Sequence, residues 1–184
     1  LDLAAAFALA HQAFADAEVL LELSLGELQD KLATFFRDRL RGLLGEGLPA
    51  DAVDAALGVA ANRPLDARAR AAAMAELDAG TWARVGEVFK RATNIAGGAP
   101  DGEPTRGDEA AEIALFDAFF AVKDDIARSV GAADYPAAFK RVAELAPTLG
   151  VYFDEVLVMA EDEAVRARRL RLMRAISETC SGLG

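Results

Sequence analysis

The chain has 184 residues, long enough to bury about two-thirds of the surface its unfolded form exposes, so one large or two small helical domains are expected without disulfide support. Its formal net charge of -10 and pI near 4.6 oppose loose attachment to polyanions, so any nucleic-acid contact must rest on a local basic patch, and no DNA partner is expected. No stretch of about 20 apolar residues is present to span a membrane; the single Cys180 has no partner in the chain and no secretory apolar region is read, so a reducing, cytoplasmic setting is the expectation. The chain opens on Leu1 without an initiator Met, as a fragment would.

Ala, Leu, Glu, Arg and Asp dominate, and apolar side chains recur at three- and four-residue steps, which predicts an all-α bundle of about seven or eight helices. A first helix is expected over residues 2–23. Ser24-Leu25-Gly26-Glu27 has capping-box spacing and starts a second, which runs through Leu28, Leu32, Phe35, Phe36, Leu40 and Leu43 to the glycines at 45 and 47. Pro49 opens a short third helix carrying Val53 and Leu57, which stops before Asn62-Arg63-Pro64, because a residue preceding proline is pushed out of helical geometry. A soft domain boundary is expected there.

A fourth helix is expected over residues 66–77. The fifth is read as capped at Thr81 and running through Trp82, Val85, Phe89 and Ile95 to Gly97-Gly98, with those four side chains forming its packing face. Residues 97–107 hold four Gly and two Pro in eleven positions and have little apolar surface, so an exposed, mobile loop is expected. Helices then follow over residues 108–129, from Tyr135-Pro136, after Pro147, and over residues 161–179. Phe89-Lys90-Arg91 and Phe139-Lys140-Arg141 have flanks too different to mark a repeat.

Residues for catalysis are missing. His11 is alone, with no second His and no Cys nearby, so neither a zinc site nor a His-based acid–base pair assembles, and a partly buried helix residue is the plain reading. Gly97-Gly98 matches no phosphate-binding signature. Asp124-Asp125 and Glu161-Asp162-Glu163 are consecutive helix positions pointing about 100° apart, so they do not converge on one metal ion.

The segment from Tyr152-Phe153-Asp154-Glu155-Val156-Leu157-Val158-Met159 through Ala160-Glu161-Asp162-Glu163-Ala164-Val165-Arg166 to Arg169-Leu170 resembles the signature that ends the β subunit of bacterial two-subunit glycyl-tRNA synthetases. That signature lies in a helical (DALR) anticodon-binding domain shared with arginyl-tRNA synthetases. Lys90-Arg91-Ala92-Thr93-Asn94-Ile95 is similar to a second motif of the family, and Arg39-Leu40-Arg41 with Arg63-Pro64 to weaker marks upstream. Two departures stand out: Arg168 replaces a usual asparagine and Ala92 a usual valine.

The resemblance implies a helical connecting region over residues 1–65 and an anticodon-binding domain over 66–184. It implies tRNA(Gly), the α subunit and the amino-terminal domains of the same β subunit as partners in a heterotetramer. The α subunit would use ATP to attach glycine, so this chain itself is expected to hold no cofactor and to neither activate glycine nor charge tRNA. The alternative is a helical module that docks the β subunit onto the α subunit with little RNA contact.

Helical phase sorts the basic residues. Arg169 falls on the apolar stripe of Val165, Leu172, Met173, Ile176 and Cys180 and is expected to be buried, where it needs a carboxylate or backbone partner. Arg168, Arg171 and Arg174 lie on the other side, free to face solvent or RNA. Lys90, Arg91 and Asn94 point away from the expected packing face. These six are the candidate tRNA contacts, against the plain alternative that Lys90 and Arg91 are merely solvated and Asn94 bonds the helix end.

Overall fold

A computed structural model describes residues 2–183. Among the described residues there are nine α-helices and no strand, and none of the helices is long and apolar enough to cross a membrane. The chain divides into two compact units, residues 2–75 and 76–183.

The first unit holds α1 (Leu3–Asp16), α2 (Leu25–Gly45), α3 (Ala50–Ala60) and α4 (Pro64–Ala75). Its core is the α3–α4 pair, where Val53, Ala56, Leu57 and Ala60 meet Ala67, Ala71 and Met74, the small side chains letting the two backbones approach. Leu40 and Leu44 of α2 close over this pair. Residues 66–75, grouped by the sequence with the second half of the chain, therefore pack in the first, with Pro64 in the first turn of α4, where its missing amide hydrogen costs nothing.

The first helix ends at Asp16, not near residue 23. No residue of α1 is buried, so no core contact extends it, and Glu18 takes a left-handed conformation (φ 55°) as the chain reverses to bring Phe36 of α2 against Phe7, with ring centroids 5.4 Å apart. The capping box at Ser24 is present: Ser24 Oγ accepts from the Glu27 amide and Glu27 accepts from the Ser24 amide.

The second unit holds α5 (Ala79–Ala96), α6 (Ala110–Gly131), α7 (Tyr135–Ala143), α8 (Ala146–Glu155) and α9 (Glu163–Ser181). Its core takes Val88 and Ala92 from α5, Leu115, Phe119 and Ile126 from α6, Phe139 and Val142 from α7, Leu149 and Tyr152 from α8, and Leu172, Met173 and Ile176 from α9. Helices α5 and α9 form the most extensive pairing and run antiparallel, since Thr93 meets Ser177 while Arg174 meets Ala99 beyond the end of α5.

Two details of α5 depart from the sequence reading. The cap is Asp78, whose Oδ1 accepts from the Thr81 amide at 2.9 Å, and Thr81 supplies the amide and a hydroxyl donor instead. Asp and Thr are both good caps three residues apart, so composition alone does not choose between them. The buried stripe is Thr81, Val88 and Ala92, and Trp82 and Phe89 sit on its flank, each 37% exposed. The helix is rotated toward its small residues because the close α5–α9 approach leaves no room for the large rings.

Candidate nucleic-acid interface

The chain leaves α8 extended at Val156 and turns at Val158 and Met159, with Val156 and Val158 buried and Leu157 and Met159 exposed, and α9 begins where Asp162 accepts from the amides of Ala164 and Val165. Those two amides hold the Asp162 carboxyl below its ordinary range.

Arg169, the seventh residue of α9, is 4% exposed. Its Nε donates to Glu112 at 3.3 Å, its Nη1 to the Leu157 carbonyl at 2.9 Å, and its Nη2 to Glu109. Burial works against this charge, but the two carboxylates outweigh it and hold Arg169 protonated. One guanidinium thus joins the start of α6, the segment after α8 and α9.

Glu112 is 1% exposed and also receives Arg168, whose Nε donates at 2.8 Å, while Arg168 Nη1 reaches Asp108 at 3.0 Å. Arg168 is therefore turned into this acidic pocket, its charge held mainly by the Glu112 hydrogen bonds. A Cβ on Gly107 would overlap the Glu112 carboxyl, so glycine is required where the chain enters α6. Tyr152, fully buried, lies close enough to feel the same charges: burial, then Glu112, raises its phenol pKa and keeps it protonated.

Arg171 and Arg174 lie one and two turns further along α9, half-buried, and both reach the segment that follows α5. On α5, Lys90 and Asn94 are exposed. Arg91 is half-buried: it pairs with Glu87 at 3.3 Å and its guanidinium lies 5.5 Å from the Phe153 ring centroid. The six candidate residues therefore fall into four environments. Lys90 and Asn94 face outward, Arg91 rests against α8, and Arg168 is enclosed while Arg171 and Arg174 meet the connecting segment.

Arg168 is separated from its two neighbours in phase by Glu112, which the sequence reading did not single out. The signal was available: Glu112 occupies the same stripe of α6 as Leu115, Phe119 and Val122, and a carboxylate in an apolar stripe calls for a basic partner. Glu109 and Asp108, at the helix start, had no such mark.

Two further residues need no functional role. His11 lies on α1. Cys180 is buried on α9, and burial pushes its thiol up to about 12, so it is neutral and inert at physiological pH.

The β subunit of glycine–tRNA ligase from Anaeromyxobacter sp. (strain K) is 37% identical to this chain over 160 residues, which are 84% of this chain and 23% of that protein. The β subunits from Citrifermentans bemidjiense and Thiobacillus denitrificans are 34% and 36% identical over 163 and 164 residues, again about a quarter of their own length. The chain thus spans about a quarter of the length of the curated relatives it matches. The family described as the DALR anticodon binding domain matches residues 80–182, from the first turn of α5 to just past the end of α9. Because that match takes in all five helices of the second unit and more than half of the chain, the protein belongs to the DALR anticodon binding domain family.

Proposed function

We propose that this chain is the tRNA-holding part of a glycyl-tRNA synthetase β subunit, gripping tRNA(Gly) on its anticodon side while a separate α subunit uses ATP to attach glycine. The observation that carries this reading is the coincidence of the family match, residues 80–182, with a single compact helical unit. That unit presents Lys90 and Asn94 outward on α5 and Arg171 and Arg174 on the neighbouring α9. In a chain of net charge -10, affinity for RNA must come from such a local cluster. In this reading the chain works in the cytoplasm as part of a heterotetramer and contributes no group to the chemistry of the α subunit. The enclosed Arg168 contributes least to RNA contact, since a phosphate would have to displace the buried Glu112.

A second reading, docking of the β subunit onto the α subunit, is favoured by the first unit. Leu9 and Leu20 are 74% and 97% exposed there, with Phe14, Phe35 and Leu43 also outward, apolar side chains that a partner protein could cover. The two readings differ in whether the chain makes direct RNA contact.

A salt titration of tRNA(Gly) binding to the 184-residue chain tests the first. Each cation that touches a phosphate contributes about 0.7 to 0.9 to the slope of log affinity against log salt. Lys90→Ala with Arg91→Ala should flatten the slope, and Asn94→Ala should lower affinity at constant slope. Affinity and slope unchanged both in the Lys90→Ala, Arg91→Ala variant and in an Arg171→Ala, Arg174→Ala variant would remove the RNA reading and leave docking.

A further inference from the structure

The eleven-residue stretch 97–107, poor in apolar side chains, is tied down along its length. Arg171 Nε donates to the Asp101 carbonyl at 3.0 Å. Arg174 Nη1 donates to the Asp101 carboxylate at 3.1 Å and the Ala99 carbonyl at 3.4 Å, and its Nη2 to the Gly102 carbonyl at 3.3 Å. Further along, Arg106 Nε donates to Asp117 of α6 at 3.0 Å, and Gly107 lies against Glu112.

The crossing over α9 is built for this contact. Gly102 has φ 126°, which side-chain-bearing residues avoid, and a Cβ there would come within 2.9 Å of Arg171 Nε. The positive φ is what calls for glycine here, and without a Cβ the backbone lies directly on the Arg171 side chain.

What surrounds the two guanidiniums is a set of oxygen acceptors, three carbonyls and the Asp101 carboxylate, with the exposed Glu178 carboxylate of α9 3.7 Å from Arg174 Nε. A phosphodiester offers the same thing, one negative charge shared by two oxygens. The carboxylate is held loosely: Asp101 is fully exposed, and an ion pair at the surface is weak and screened by salt. The Arg169–Glu112 pair is the opposite case, enclosed and unable to exchange.

Resting on the tRNA-binding reading above, we propose that residues 99–102 form a strap over Arg171 and Arg174 in which the Asp101 carboxylate stands in for an RNA phosphate, so that RNA binds by displacing it. Asp101 then sets affinity: it keeps both guanidiniums ordered and solvated acceptors away, and it must be exchanged before a phosphate can reach Arg174. A bare surface cation would bind any polyanion, whereas this one yields only to an acceptor positioned by further contacts.

The test measures binding of transcribed tRNA(Gly) to the full 184-residue chain at about 50 mM and about 200 mM salt, conditions between which phosphate contacts weaken strongly. Asp101→Asn keeps the size and removes the charge at a fully exposed position, so it leaves the fold in place. It should bind between about 1.5-fold and 5-fold tighter at the lower salt, the range expected for releasing one surface ion pair. The gain should disappear when Arg174→Ala is added.

If Arg171→Ala with Arg174→Ala weakens binding and flattens the salt slope, but Asp101→Asn binds no tighter, the strap is overturned and the tRNA reading stands. If the doubly substituted chain binds as the unsubstituted one does, or neither binds, the use of these arginines for RNA fails and the strap fails with it.

Discussion

Arg169 shows how a buried charge is made tolerable. Its guanidinium is enclosed but meets Glu112, Glu109 and a backbone carbonyl, so no donor group is left facing an apolar wall. Glu112 is the more consequential member, because it accepts from both Arg168 and Arg169. Glu112→Ala takes a carboxylate from two cations at once, leaving Arg169 to Glu109 and Arg168 to the exposed Asp108, and should cost about 3 to 5 kcal/mol, the range for breaking a buried pair. Arg169→Ala leaves Glu112 with Arg168 and should fall at the lower end, about 3 kcal/mol. Arg171→Ala removes one hydrogen bond to an exposed carbonyl and should cost about 1 kcal/mol. Urea denaturation followed by the single Trp82, which reports on the second unit, ranks the three; equal midpoints would mean that the cluster adds nothing to stability.

At the scale of the helices, the caps carry the pH dependence. Hydrogen bonds from Ser24 lower the Glu27 pKa, those from Thr81 lower that of Asp78, and the Val165 and Ala164 amides lower that of Asp162. A carboxylate whose folded pKa is depressed contributes stability that is fully present above its unfolded value, about 4, and is lost as pH falls through the folded value. The thermal midpoint of the second unit should therefore fall as pH drops below about 4. In the Asp78→Asn, Asp162→Asn variant the fall should be shallower, since asparagine caps without a charge to protonate. Identical pH profiles in the two proteins would show that neither cap contributes. The connecting stretch makes a related point: glycine and proline composition predicts a loop, but its hold on α9 depends on two arginines about 70 residues away.

For the molecule as a whole, the two units differ in how complete they are. The second has a core drawn from all five of its helices, while α1 in the first buries no side chain. Residues 76–183 alone should keep a helical circular dichroism spectrum and unfold in one cooperative thermal transition. A broad, non-cooperative loss of signal would show that this unit needs the rest of the chain.

Much of this was legible from one dimension. Helical periodicity predicts the all-α class, with about seven or eight helices expected against nine among the described residues, and local chemistry sets the start of α2, since Ser24 and Glu27 meet within one turn whatever surrounds them. The burial of Arg169 followed from its phase on a single helix, and the family resemblance from a contiguous run of residues, both of which survive without any knowledge of packing. What depended on distant contacts was not legible. The reversal after Asp16 reflects a helix that buries no side chain fully and meets α2 through Phe7; the flank position of Trp82 and Phe89 reflects how closely α9 approaches. The separation of Arg168 from Arg171 and Arg174 turned on Glu112, 56 residues away. Three arginines at equal spacing look alike along a helix, and only the neighbours that folding brings to each decide that one is enclosed while two reach the strap.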